Sequence, residues 1–378
     1  MHVAIITTSY PDEVPGSEAA GSFVEDFARQ LAMSVRVSVI APASAASISR
    51  DDDLEVIRFA VPSSPLSLLR PLHPADWPAI IKTIRNGRRA VERLVHDNKP
   101  NYLFALWALP SGHWAGSVSR RHDIPFAIWA LGSDIWSLGK IPLLRLKLRR
   151  VLRAADLCFA DGLALAEDVE RLSGRSCDFL PSTRTLPKLE LGSGAESGPY
   201  KLAFLGRWHR NKGVDILLES LRQLDDSDWS KISAVRIFGG GPLHADVQRI
   251  SIELRARNRP VETGGYLDKE SAADLIAWAD YLMLPSRIES IPVIFSDAMQ
   301  LRTPLVATPV GDLPRLHDKY SFGTLAAAAT PDAFTEAMRK ALDGSAASFG
   351  TGLDAAASDF DMIGVTRGFL GAIEQSGS

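Results

Sequence analysis

Short β-rich runs alternate with helical stretches along most of the chain, and this alternation limits the fold more than any other feature. His2 to Thr7 reads as a strand, Ser22 to Met33 as a helix and 35 to 41 as the next strand. Strands separated by helices in this way lie parallel, with the helices covering the sheet. After residue 199 the series restarts: Lys201 to Gly206 as strand, Val214 to Leu224 as helix, Val235 to Phe238 as strand, and a further helix from about Leu243. A restart means a second sheet, and 378 residues suffice for two domains of about 100 to 200 residues each. The proline-, glycine- and serine-rich run between them lacks the apolar residues of a core element and reads as a linker. The expected organisation is a first domain over 1–182, a linker over 183–199, a second domain over 200–357, and a C-terminal helix and tail over 358–378. The small-residue segment 344–358 reads as a poor core element, and the helix after it could return to the first domain.

Composition removes several classes of function. With 42 basic and 45 acidic residues the net charge is -3, so no global field holds the chain on nucleic acid. No run approaches the roughly 18 apolar residues of a membrane span, and the N-terminus lacks a signal-peptide pattern, so the expected location is the cytoplasm. Cys158 and Cys177 have no metal-ligand spacing and read as buried thiols. The acidic clusters Asp51 to Asp53 and Asp225 to Asp228 read as solvated turns, and no metal is expected.

In open α/β sheets ligands collect beyond the carboxyl ends of the strands, so the strand-to-helix loops carry the argument. The first loop of the second domain, Gly206 to Gly213, offers a glycine turn with two cations, Arg207 and Lys212, at a helix start, a favourable place for a diphosphate. Gly239, Gly240 and Gly241 end the next strand, though no P-loop or dinucleotide fingerprint follows. In Leu284 to Met299, Glu289 sits on the loop, Pro292 opens a helix and Asp297 lies inside it. An acid there can grip sugar hydroxyls, and a second can accept from a ribose diol. The free N–H groups of Ser290, Ile291 and Val293, beside Pro292, can meet phosphate.

The order of Gly206-Arg207 to Lys212-Gly213, Gly239 to Pro242, Gly264 to Leu267, the 285–300 segment and then Thr303 to Asp312 resembles the donor-binding domain of family 4 retaining glycosyltransferases of GT-B fold. Gly21 with its following helix, Trp107 to Gly112, and Leu131 to Asp134 resemble segments of that family's first domain. The resemblance implies two Rossmann-like parallel-sheet domains facing a central cleft. It implies that Arg207 and Lys212 neutralise the donor diphosphate, that Glu289 holds the transferred sugar, and that Asp297 takes the ribose. Gly21, Gly206, Gly239, Gly241, Tyr266, Leu267, Ser290, Ile291 and Pro292 would line the donor. Three departures stand out: Asp297 replaces the usual longer acid, Gly240 replaces an acid of the glycine loop, and Leu131 replaces the His of the HGSD segment. His113 and Asp134 remain as acceptor-side candidates.

The resulting reading is a retaining glycosyltransferase that moves a hexose-type sugar from a nucleoside diphosphate sugar, a co-substrate rather than a cofactor, to a glycan or lipid-linked acceptor. A nucleotide-sugar epimerase of GT-B fold and a non-catalytic nucleotide-sugar binding protein are the alternatives. The leucines and six cations of 140–153 suit peripheral contact with the inner face of a membrane or, equally, an ordinary amphipathic helix. Trp77, Trp107, Trp114, Trp129 and Trp136 suit either sugar stacking or core packing.

Overall fold

The computed structural model describes residues 1–11, 21–62, 66, 69–189 and 194–376. Ala20, next to the Gly21 loop, residues 190–193 of the expected linker, and the last two residues of the tail lie outside the described residues. The chain divides into two compact units, Met1–Pro181 with Met362–Ser378, and Ser182–Asp361.

The first unit holds β1 (His2–Ile6), β2 (Arg36–Ala43), β3 (Ser47–Asp51), β4 (Leu54–Ala60), β5 (Tyr102–Leu106), β6 (Phe126–Ala130), β7 (Leu157–Ala160) and β8 (Asp178–Phe179). They form one sheet in the order β3-β4-β2-β1-β5-β6-β7-β8. Apolar runs such as HVAII and YLFAL are buried on both faces, as parallel strands under helices require. The edge strand β3 departs from the parallel expectation. It pairs antiparallel with β4 across a tight turn in which Asp52 has φ 49, and its residues are all exposed.

Alternate strand residues feed two cores. Helices Trp77–Asn98, Ser111–His122, Pro142–Ala154 and Leu163–Ser173 cover one face, where Ala4 and Ile6 meet Val91, Trp114, Leu148 and Val169. Helix Ser22–Ala32 and the C-terminal helix Met362–Ser376 cover the other, where Val3 and Ile5 meet Phe27 and Phe369. Met362, Val365, Phe369 and Ile373 fall on one helical stripe, and the Phe369 ring lies 4.2 Å from that of Phe104 and 5.6 Å from that of Phe27. Trp114 and Trp129 are core residues of this unit, and Trp77 is exposed.

The second unit holds β9 (Tyr200–Arg207), β10 (Ile232–Gly240), β11 (Val261–Gly264), β12 (Tyr281–Leu284), β13 (Leu305–Ala307) and β14 (Gly323–Leu325). All pair parallel in the order β11-β10-β9-β12-β13-β14. The chain therefore builds outward from β9 through β10 and β11, then jumps back to the other side of β9 with β12. That reversal makes the β9/β12 boundary a topological switch point, where the diverging loops leave a crevice.

Two local readings are corrected. Segment 344–358 is not a poor packing element: it contains helix Gly350–Asp359 with Leu353 and Ala356 buried. Its small residues permit close approach, since a Cβ on Gly352 would collide with the Tyr320 carbonyl oxygen. The Asp225 to Asp228 cluster is not a solvated turn. Asp225 and Asp228 form a reciprocal capping box on the short helix Asp226–Ser230, and Arg339 Nε donates to buried Asp228 at 2.9 Å.

Truncating Phe369→Ala should cost about 3 to 5 kcal/mol, because the ring is fully buried among aromatics that cannot collapse into its space. Ile363→Ala, half-exposed on the same helix, should stay within about 0.5 kcal/mol. Urea unfolding of both variants measures the contrast.

Candidate active site

The loops leaving β9 and β12 meet at the switch point because glycines let their backbones touch. Gly213 has φ 71, and a Cβ there would collide with the Pro285 carbonyl oxygen. Gly239 has φ 145 and lies so close to the Gly206 carbonyl that no side chain fits. Gly311 abuts the carbonyls of Glu289 and Ser290 in the same way. Each position needs glycine both for its dihedral and for space. The loops are then tied by hydrogen bonds: Arg287 N to Asn211 O at 2.8 Å, Trp208 N to Gly240 O at 2.8 Å and Thr308 N to Leu284 O at 3.1 Å.

Side chains complete the join. Lys212 Nζ donates to Glu289 Oε1, which also accepts from Ser286 Oγ at 3.1 Å. Lys212 is the more exposed partner of this pair. Arg287 spans the same loops as a two-pronged strut, donating from Nη1 to Asp215 Oδ1 at 2.7 Å and to Arg210 O at 2.7 Å, and from Nη2 to Asp215 Oδ2 at 2.9 Å. Arg207 is exposed at the end of β9, with no carboxylate partner among the described residues. Helix Val293–Gln300 starts after Pro292, so its first N–H groups lack helical partners, and the buried Ser290 Oγ beside them has no hydrogen-bond partner. Ile291 is buried under this turn.

On the far side of β9, a Cβ on Gly241 would lie 2.9 Å from the Trp208 carbonyl oxygen. Tyr266 Oη donates to Gly240 O at 2.7 Å, and a Cβ on Gly240 would lie 2.8 Å from the Tyr266 ring. Glycine in place of the family's acid is thus matched to an exposed aromatic ring lying over it, with Leu267 following. Asp297 is fully buried, and Arg184 binds both of its oxygens. Gln300 Nε2, one turn on, donates to Thr183 Oγ1 at 3.0 Å and to Arg184 O at 3.1 Å. Residues 183 and 184, expected to be plain linker, are therefore stitched to the helix that carries Asp297.

In the first unit, Gly21 has φ 116 and caps helix Ser22–Ala32, its carbonyl accepting from Val24 N and Glu25 N. Asp134 is buried and braces two loops, accepting from Ala108 N at 2.6 Å and Leu131 N at 3.2 Å. Burial raises its pKa to about 6, against the opposing pull of those backbone N–H groups. Leu131 packs on the apolar core. His113 lies on helix Ser111–His122, half-buried; burial, then the cations of Lys147, Arg120 and Arg88, lower its pKa to about 4. The structure brings Lys212, Glu289, Ser290 and the 293 helix start together, whereas His113 belongs to the other unit. Sequence reasoning missed Arg184, Ser286 and the Arg287–Asp215 strut. Opposite charges on separate segments were the signal, and sequence does not say which segments meet.

The two parallel-sheet units have the GT-B fold, and the chain is a glycosyltransferase. Residues 199–344 match the family described as Glycosyl transferases group 1. It is 26% identical over 352 residues to a protein of Bacillus subtilis provisionally named teichuronic acid biosynthesis glycosyltransferase TuaC, covering 85% of this chain and 84% of that one. It is 23% identical over 359 residues to the GDP-mannose-dependent alpha-(1-6)-phosphatidylinositol monomannoside mannosyltransferase of Mycolicibacterium smegmatis, covering 88% and 87%. The sucrose-phosphate synthase of Thermosynechococcus elongatus has the same fold, with a TM-score of 0.73 at 16% identity over 99% of this chain and 98% of that one.

Because the folded-state pKa of Asp134 stands above the ordinary value, its contribution to stability is fully present below about pH 4 and is lost as pH rises through about 6. The change amounts to about 3 kcal/mol on this one group. Asp134→Asn should remove this slope between pH 4 and 6, and should lower stability at pH 4 by about 1 to 3 kcal/mol because one braced N–H loses its acceptor. Urea unfolding across that pH range, wild type against variant, measures both effects.

Proposed function

We propose that the protein transfers a hexose-type sugar, with retention at the anomeric carbon, from a nucleoside diphosphate sugar to a hydroxyl of a glycan or lipid-linked acceptor in polysaccharide or glycolipid assembly. The observation that carries this reading is the Lys212–Glu289 pair at the β9/β12 switch point, beside the open start of helix Val293–Gln300. A cation beside a helix N-terminus suits a leaving diphosphate, and a carboxylate one side chain away suits the hydroxyls of the sugar attached to it. Arg207 supplies the second cation. Ser290 Oγ and the N–H groups that follow complete an anion cradle whose charge stabilisation grows as the sugar–phosphate bond breaks. In this reading Gly206, Gly239 and Gly241 let the backbone approach the nucleotide, and Tyr266 and Leu267 lie beside its base. In the usual account of retaining transfer, the departing phosphate takes the acceptor proton on the same face, so no strong protein base is required. Leu131 is compatible with that chemistry.

Asp297 serves the ribose indirectly in this reading, by holding Arg184 and the helix in register. A polysaccharide or lipid acceptor is favoured by what the two named relatives act on or assemble, and by 140–153, which would rest on the inner face of a membrane while the protein works in the cytoplasm. Among the described residues no helix is long and apolar enough to cross a membrane.

The test is release of nucleoside diphosphate from UDP-, GDP-, ADP- and dTDP-sugars, with and without a glycolipid extract. One donor should be consumed in an extract-dependent way. Lys212→Ala and Glu289→Ala should each lower kcat by about 100-fold or more. Turnover that survives both substitutions would refute the assignment.

A further inference from the structure

We infer that helices Trp77–Asn98, Ser111–His122 and Pro142–Ala154 form one surface that binds an anionic lipid bilayer, and that Trp77–Asn98 contributes as much to it as the 140–153 segment. This rests on the reading of 140–153 as membrane-facing and extends it to an element that composition alone did not single out. The whole chain is slightly acidic, yet these three helices hold twelve Lys and Arg residues against two acids, Glu92 and Asp97. Both acids are already engaged, Glu92 with Arg88 and Arg121, Asp97 with His96. Lys82, Arg85, Arg89 and Arg93 on one helix, and Arg145, Lys147, Arg149 and Arg150 on another, have no carboxylate partner among the described residues.

The three helices lie side by side on one face of the first sheet. Gly87 of Trp77–Asn98 sits directly against the Trp114 ring of the middle helix, and a Cβ on Gly112 of the middle helix would lie 3.0 Å from Val151 of the third. The middle helix carries half-buried His113, whose pKa is lowered first by burial and then by the cations of Lys147, Arg120 and Arg88 on all three helices. Lys147 is lowered too, by burial and then by Arg120 and Arg150.

Charge alone would suit any polyanion, but the same face exposes large apolar side chains. Trp77 is 51% exposed, Ile81 59%, Leu143 79% and Leu146 53%. Trp77, Ile81 and Arg85 recur at i, i+4 and i+8, so the ring, the branched chain and the cation share one stripe of the helix. A nucleic acid backbone has no use for exposed Ile and Leu. A bilayer interface takes both parts, phosphates pairing with the cations while Trp and Leu enter the headgroup region.

The test uses full-length protein co-sedimented with vesicles of phosphatidylcholine alone and of phosphatidylcholine with one-third phosphatidylglycerol. The wild type should bind only the anionic vesicles and be released by high salt. The triple variant Trp77→Ser, Ile81→Ser, Arg85→Glu should bind about ten-fold or more weakly, as should Arg145→Glu with Arg149→Glu, since each cation near an anionic surface is worth about five-fold in partition. Met33→Ser, exposed on the opposite face of the sheet, should bind as wild type. Donor turnover without vesicles should be unchanged in all variants, so a failure of this surface is distinguishable from a failure of the transferase reading. Wild-type binding by the 77–81–85 variant would remove Trp77–Asn98 from the surface. No anionic-vesicle binding by the wild type, or binding to a duplex DNA probe instead, would overturn the proposal.

Discussion

The close approach of loop backbones at Gly213, Gly239 and Gly311 is the constraint on which the site depends. Without it the loops after β9 and β12 would stand a side chain's width apart, and Lys212 could not reach Glu289. The Arg287–Asp215 fork then fixes the separation that the glycines permit, because a bidentate guanidinium tolerates little change in angle or distance. The sheet order supplies the rest: at the β9/β12 reversal the two loops diverge around a crevice.

One consequence is electrostatic. In the free protein Glu289 occupies the cation that the reading assigns to a diphosphate. The pair keeps a carboxylate and an ammonium in place in a partly buried setting, where either alone would carry a desolvation cost. A nucleoside diphosphate sugar can satisfy both at once, phosphate with Lys212 and hydroxyls with Glu289, while a bare nucleoside diphosphate can satisfy only Lys212. The geometry thus ties recognition of the sugar to recognition of the phosphate.

The two-sheet architecture was legible because strand and helix periodicities restart after residue 199, and the donor loops were legible because glycines, cations and acids stand at strand ends. What escaped was pairing across loops. Asp297 reads as an acid facing ligand, yet Arg184, more than a hundred positions away, binds it. Gly240 reads as a lost acid, and the Tyr266 ring lies over the place a side chain would take. Asp134 reads as an acceptor-side acid, and its carboxylate is taken up in bracing two loops through Ala108 N and Leu131 N. The outward face of Trp77–Asn98 went unread because its apolar residues share a helix with a buried stripe, and burial is what separates the two.

Isothermal titration of bare nucleoside diphosphate against wild type and Glu289→Gln tests the central claim, that Glu289 competes with phosphate for Lys212. The account predicts that the variant binds the bare nucleotide at least as tightly, by about five-fold if the pair is worth about 1 kcal/mol, while losing sugar transfer. A clear weakening of bare-nucleotide binding in Glu289→Gln would contradict it.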